Sequence, residues 1–516
     1  MLRTTSKQNS ASNRARGTAP LRRPGAVAVR GHSDDLSGSV VDGDSVYGGL
    51  GFGVQHPLCR YEENARLLGY EDKIKQAFDS IVPTLKDISA IQHQSDFEVQ
   101  AQRIAQERLG YELPEAVLAD AWVEQLDMRR LFAWCVFNTY KHFCNEFFTL
   151  HASSDAAEKE FDVFLQSCGF HAMDITPCAD GRLAHLVRYV LRLPPRAVRR
   201  KSYAGAMFDV EDSLEKWMEI ELQRFRESKP NGVDAPTRYL KVLAYHFSSG
   251  NPEHEGCAAH GSDTQKAAKA GLERLVSFRQ AIENSFCCGV SIDLLLIGID
   301  TDTDSIRVHV PDGVGQMDLD RYIDTQTIFD KTLSQDKTAA KRSVESAILN
   351  SSPEVATGMS KLIAGLIENN LSQIAYVLGR HGERYPDIGH AERFIGAGVG
   401  FEDIQLRNLM YFAYLNTVEE GASDLDVGIK IFKGLNVSHG LPVPVVVRFD
   451  YHGDVPGARE RAEQRCGRVA QALSQRYEDL CQQGLLHVLQ VARDCDGDSP
   501  LEIFACTVNT PEFGGH

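Results

Sequence analysis

The sequence lacks any unbroken apolar run long enough to span a bilayer. Its most apolar aromatic stretch, "LFAWCVFNTYKHFCNEFF" from Leu131, is interrupted by Asn138, Lys141, His142, Asn145 and Glu146 and reads as a buried helix. No charged-then-apolar leader opens the chain, since Arg and Pro break the first apolar stretch, so a cytoplasmic protein is expected. Positive charge is scarce: 55 Lys and Arg against 71 Asp and Glu give a net charge of -16, which argues against nucleic acid as the main partner. Cysteine is too dilute for a disulfide scaffold, twelve in 516 residues and scattered apart from Cys287 and Cys288, and a reducing compartment is expected. Two further absences exclude common binding loops. "IGAGVGFED" from Ile395 has Phe401 where a dinucleotide fingerprint needs its third glycine, and "DTDTDS" and "DCDGDS" lack the closing Glu of a calcium loop, so both read as turns between strands.

One local absence points elsewhere. The first 33 residues contain no Asp or Glu but seven Arg and Lys, and residues 1–55 as a whole are too poor in apolar surface to fold alone. They read as a disordered basic arm on an acidic body, with the composition either of a transit peptide or of a tether for an acidic protein partner. The run "RAVRRK" from Arg196 reads as solvated surface, with an anion site as its alternative.

A chain of 516 residues exceeds what one core usually supports. Residues 56–153 show helical spacing: Ile74, Phe78, Ile81, Leu85 and Ile88 form one stripe that Pro83 should kink, and Val99, Ile104 and Leu109 extend into a second helix stopping at Gly110. After about residue 154, short β-rich runs alternate with helices, which predicts an α/β sheet domain to about residue 400. Strands are expected at "AMDIT" before Cys178, at "RYLKVLAYHF" around His246 and at "SIDLLLIGID" from Ser291, with a helix between the last two. A similar order recurs over 401–516. "PVVVRFDYHGDVPGARERAEQRC" from Pro444 resembles the run from Arg238, with Tyr451 and His452 falling on Tyr245 and His246, and the pattern reads as an ancient duplication. Only the first copy has "CADGR" and a counterpart of Cys257.

In that first copy Cys178 ends one strand, His246 ends another, and Cys257 follows in "NPEHEGCAAHG". Ligands gather at the carboxyl ends of parallel strands. Two thiolates and an imidazole suit zinc, and three protein ligands leave the fourth position open, as a catalytic site requires. Asp180 then accepts the hydrogen bond of the zinc-bound water, and Arg182 holds that carboxylate off the metal. Hydroxide at neutral pH follows, and carbon dioxide is its simplest electrophile. By spacing alone His254, three residues before Cys257, is an alternative to His246, and His260 is a third candidate. His185 reads as a surface or packing residue, with a proton shuttle as the alternative. Cys135, Cys144, Cys168, Cys287 and Cys288 read as core.

"CADGR", residues 178–182, matches the Cys-x-Asp-x-Arg signature of β-class carbonic anhydrases. From about residue 56 to its end the chain resembles the carboxysomal shell carbonic anhydrases, the ε subclass, through "RYEENARLLGYEDKI", "GLERLVSFRQAIENSFCCG" and "GLPVPVVVRFDYHG". The resemblance implies an α/β (α+β) fold: a helical N-terminal domain and two tandem β-carbonic-anhydrase-like domains, the second without zinc. It implies one zinc per chain on Cys178, His246 and Cys257, with Asp180 and Arg182 as the catalytic dyad around a zinc-bound hydroxide. It also implies residence in the carboxysome, where bicarbonate is turned into carbon dioxide beside Rubisco, with the basic arm as a tether to Rubisco or shell proteins. The duplication suggests that one chain does what a β-class dimer does and that chains pair further, as a homodimer or higher homo-oligomer. Two competing readings remain: a scaffold whose metal is incidental, and a zinc hydrolase of small esters or amides.

Overall fold

The structure, a computed structural model, describes residues 56–516 except 120, 122–124, 151–154, 230–235, 286–289, 402, 416, 497–498, 509, 511–512 and 514–516. The basic arm, Cys287 and Cys288 lie outside the described residues. Five helices come first: α1 (Tyr61–Asp79), α2 (Ile81–Ala90), α3 (Phe97–Leu109), α4 (Glu115–Ala119) and α5 (Met128–Leu150). The stripe Ile74, Phe78, Ile81, Leu85 and Ile88 is buried throughout. Pro83 does not kink a single helix. It lies in the first turn of α2, and the break falls at Ser80, where Asp79 would otherwise need an amide that Pro83 lacks. On α3 the buried face is Phe97, Ala101 and Ala105, while Val99 is 74% exposed, so the expected stripe through Val99 is replaced by one of smaller residues. Gly110, at φ 80°, ends that helix. The aromatic stretch from Leu131 is indeed a buried helix, α5, and no helix among the described residues is long and apolar enough to cross a membrane.

After α6 (Asp155–Ser167), two sheets follow with one topology. The first contains β1 (Ala172–Pro177), β2 (Arg199–Arg200), β3 (Thr237–Phe247), β4 (Val290–Asp300), β5 (Ile306–His309) and β6 (Ile323–Asp324), in the order β2-β1-β3-β4-β5-β6. The second contains β7 (Phe394–Val399), β8 (Met410–Tyr414), β9 (Val443–Phe449), β10 (Leu486–Ala492) and β11 (Glu502–Cys506), in the order β8-β7-β9-β10-β11. In each, four parallel strands carry an antiparallel fifth. Parallel neighbours need crossovers. These are α7 (Val210–Arg226) and α8 (Thr264–Ser285) in the first repeat, and α12 (Val418–Leu435) and α13 (Ala458–Arg476) in the second. Between the repeats run α9 (Thr325–Thr332), α10 (Lys337–Ser351) and α11 (Thr357–Arg380), and the short α14 (Glu478–Gln482) precedes β10. The mixed α/β class, a helical N-terminal region followed by two sheet-bearing regions, is the expected one. The division expected at 400/401 falls between β7 and β8, both strands of the second sheet. Arg200 and Lys201 of "RAVRRK" are buried rather than solvated, with Arg200 Nη1 donating to the Ala184 carbonyl at 2.7 Å.

The structure corrects the register of the duplication. Thr301 N donates to Phe247 O, and Cys495 N donates to Tyr451 O. Ser249 N bonds Asp300 as Gly453 N bonds Asp494, and Gly250 N bonds Asp302 as Asp454 N bonds Asp496. Tyr451 therefore matches Phe247, and Asp450, not His452, takes the place of His246. A slip of two residues preserves the in-out alternation of a strand, so the apolar pattern alone cannot detect it.

Buried charge fills the corresponding place in the second repeat. Arg448 Nη1 donates to both Asp403 oxygens at 2.9 and 2.8 Å and to Tyr140 of α5 at 3.1 Å, while Nε and Nη2 each reach Asp450 at 2.8 Å. Arg493 lies 3.7 Å from Asp403 and its backbone amide donates to Asp450 at 2.9 Å. Gly398 and Gly400, at φ 123° and 118°, belong to this cluster. A Cβ at the first would strike the Arg448 carbonyl, and one at the second would meet the Asp450 carboxylate. Gly398 of "IGAGVG" thus makes room for the neighbouring strand and Gly400 for an ion pair, rather than for a nucleotide. Arg448→Met strands the buried Asp403 and the partly buried Asp450 and is expected to cost about 3–5 kcal/mol in chemical denaturation. An unchanged unfolding midpoint would mean that the carboxylates are neutral without the arginine.

Candidate metal centre and active site

The first sheet brings the candidate residues together through its register. Strands β1 and β3 are parallel neighbours with Pro177 paired to Ala244, so Cys178, just past β1, and His246, near the end of β3, emerge side by side. Cys257 returns from the loop that follows. The ligand atoms of Cys178, His246 and Cys257 all lie within 4.8 Å of one another, and all three residues are buried. His254 is exposed and outside the cluster. His260 turns its Nε2 to the Gly205 carbonyl at 3.2 Å instead.

The donor set fits a soft divalent metal. The hydrogen bond with Cys257, together with burial, pushes the Cys178 thiol well above its usual range, while the same bond lowers Cys257. Two sulfurs thus compete for one proton in a place that a cation would relieve. Gly205 N donates to Cys178 Sγ at 3.2 Å, a bond that favours the thiolate. His246 Nδ1 is buried with no hydrogen-bond partner among the described residues, and a buried ring nitrogen without a partner is costly unless something binds it.

Beside this cluster Asp180 caps a single 3₁₀ turn, Gly181–Leu183, and Arg182 folds back on it. The backbone amide and Nε of Arg182 donate to Asp180 Oδ1 at 2.9 and 3.0 Å, and Nη2 donates to Oδ2 at 2.8 Å. Arg182 Nη1 donates to the Glu255 carbonyl at 3.0 Å, tying the dyad to the Cys257 loop. Asp180 Oδ2 faces His246 Nε2 at 3.4 Å. Burial alone would raise the Asp180 carboxyl, but the charges of Arg182 and His246 outweigh it and hold it well below the carboxylate range.

The second repeat clamps this loop. Phe412 N donates to Ala179 O at 3.3 Å, Asn408 N to Gly181 O at 2.8 Å and Tyr414 N to Ser202 O at 2.9 Å. His185 is neither a surface group nor exposed enough to reach bulk water. It is buried, with Nε2 2.6 Å from Asp304 Oδ2, which also accepts from Tyr385 and Gln373.

Sequence reasoning missed His390 and Glu392. Their ligand atoms and that of Asp180 lie within 4.8 Å of one another. A Cβ at Gly181 would collide with the Glu392 carboxylate, so the glycine of "CADGR" is what admits it. Nothing in the sequence links a loop before β7 to the loop after β1; only the docking of the two repeats does.

Three family models match in chain order: carboxysome shell carbonic anhydrase, N-terminal, over residues 56–148; its catalytic domain over 160–390; and its C-terminal part over 391–508. The carboxysome shell carbonic anhydrase of Parasynechococcus marenigrum (strain WH8102) is 54% identical over 467 residues, 90% of this chain and 81% of its own. That of Prochlorococcus marinus (strain MIT 9313) is 51% identical over 504 residues, 97% and 96% of the two chains. That of Halothiobacillus neapolitanus (strain ATCC 23641 / c2) is 45% identical over 461 residues, 87% and 90%. With likeness running through helical region and both repeats alike, the chain belongs to the carboxysome shell carbonic anhydrase family.

Proposed function

We propose that this carbonic anhydrase of the carboxysome is zinc-dependent, with Cys178, His246 and Cys257 holding one zinc ion and Asp180 and Arg182 orienting the attacking oxygen. One observation carries the reading. Three metal-binding atoms meet within 4.8 Å at a buried strand end, beside a carboxylate that a guanidinium grips at both oxygens. Zinc in that place supplies Lewis acidity, which makes hydroxide available from water near neutral pH.

The chain's own groups do the remaining work. The Gly205 amide fixes the direction of the Cys178 sulfur. Asp180, kept ionised by Arg182, can only accept a hydrogen bond, so it would accept one from the attacking oxygen and orient that oxygen's lone pair toward carbon dioxide. Arg182 holds Asp180 and the Glu255 carbonyl at once, so the carboxylate cannot swing onto the metal donors without breaking the fork. Burial of Cys178, His246 and Cys257 keeps bulk water from competing.

The excess of Arg and Lys in residues 1–55 supports a tether to Rubisco or shell proteins, so that bicarbonate entering the carboxysome becomes carbon dioxide where it is fixed. The working units are then the arm, a helical region over 56–153, a catalytic repeat that begins at about residue 154 and a repeat without metal that begins ahead of β7. Since one chain carries both repeats, a homodimer or higher assembly pairs whole chains.

Replacing Cys178, His246 or Cys257 by Ala is expected to remove zinc, by metal analysis of the purified chain, whereas His254→Ala keeps about one zinc per chain. Zinc retained in His246→Ala would assign the third ligand elsewhere. Asp180→Asn should retain zinc and slow stopped-flow hydration of carbon dioxide by roughly 10²–10⁴-fold. Full turnover in that variant rejects the dyad, and zinc without turnover in the unaltered chain would make the cluster a clip in a scaffold.

A further inference from the structure

We propose that His390, held by Glu392, is the group through which the proton released by hydration leaves the site. The inference rests on the assignment of Asp180 and the Cys-His-Cys cluster as the reacting centre. Each hydration converts carbon dioxide and water into bicarbonate and one proton, and that proton has to reach solvent before the next turnover. Asp180 cannot deliver it alone, because both of its oxygens are engaged by Arg182. His246 and His185 are buried, His246 in the metal cluster and His185 on Asp304.

His390 differs from both. Its side chain is 37% exposed, yet a ring nitrogen lies within 4.8 Å of an Asp180 oxygen. It stands between the reacting centre and water. Its Nδ1 is 2.8 Å from Glu392 Oε1, and the Glu392 side chain is fully buried with Oε2 lacking a hydrogen-bond partner among the described residues. An Nδ1–H that donates to Glu392 fixes the tautomer and leaves Nε2 to accept a proton. The neutral imidazole takes up the released proton as imidazolium, hands it to a buffer base in solvent, and returns to its starting state.

The surrounding charges favour this use. Burial would lower the imidazole, and Arg182 acts in the same direction, but the hydrogen bond with Glu392 and the charges of Asp180 and Glu392 outweigh them and raise it above the ordinary histidine value. A more basic imidazole competes better for the released proton.

The test uses the zinc-loaded full chain and its His390→Ala and His390→Gln variants in oxygen-18 exchange, which separates interconversion of carbon dioxide and bicarbonate from proton-dependent release of labelled water. At low buffer concentration both variants should lose roughly 10-fold or more of the labelled-water release, keep near-normal interconversion and zinc content, and recover when imidazole is added. A second readout needs no turnover: in selectively labelled protein the NMR titration of His390 should move to lower pH in Glu392→Gln. Unchanged water release in both His390 variants, an equal loss of both rates without rescue, or a His390 titration indifferent to Glu392→Gln overturns the proposal. Full interconversion in Asp180→Asn would instead reject the reacting centre itself, and the two failures are told apart by which rate moves in which variant.

Discussion

Everything at the site depends on where two parallel strands stop. Because β1 and β3 pair Pro177 with Ala244, Cys178 and His246 emerge from adjacent strands, and the turn that must follow β1 carries Asp180 and Arg182 to the same end of the sheet. The strands are buried along nearly their whole length, and a parallel sheet covered on both faces has little freedom to slip. Rigid backbone thus sets the spacing of the sulfur and the imidazole. Cys257 then needs only a loop to complete the set, and Arg182 anchors that loop through the Glu255 carbonyl.

The same strand end in the second repeat shows what the fold does where the Cys-His-Cys cluster has no counterpart among the described residues. Amides and charges converge there in both copies. In the first, two sulfurs and an imidazole are suited to a cation; in the second, Asp403 and Asp450 are neutralised by Arg448 and Arg493. One buried and one partly buried carboxylate against two guanidiniums close to no net charge, which is the condition for keeping ionised groups away from water. Arg448 also binds Tyr140, so the degenerate site joins the second sheet to α5, whose aromatic face shares a core with Phe394 and Phe401.

Much of this was legible in the sequence, and the parts that were not have separate physical causes. "CADGR", the strand runs around His246 and Ser291 and the buried aromatic helix are local signals, carried by spacing and by residue type. The match of Tyr451 and His452 to Tyr245 and His246 failed because a shift of two residues leaves a strand's pattern intact. The stripe through Val99 failed because alanines at positions 101 and 105 do the packing, and alanine announces a helix without announcing its face. His390 and Glu392 were invisible for another reason. Their role exists only when the segment before β7 lies against the turn after β1, a contact between repeats that no local pattern encodes.

That contact gives a role to a repeat in which the Cys-His-Cys cluster has no counterpart among the described residues. Its edge is pressed against the loop that carries Asp180: β8 and the residues just before it donate backbone hydrogen bonds to Ala179, Gly181 and Ser202, and Asp424 of α12 accepts from Ala204, one residue before the amide that binds Cys178. Arg407 reaches further, donating to the Thr301 carbonyl at 2.9 Å and lying 3.5 Å from Asp304, the carboxylate that holds His185. Backbone bonds of this kind are indifferent to side-chain identity but intolerant of a shift in position. The constraint on the second repeat is therefore its shape. Its strand end holds ion pairs where the first repeat gathers sulfur and imidazole, while its β8 edge holds the turn that carries Asp180 and Arg182.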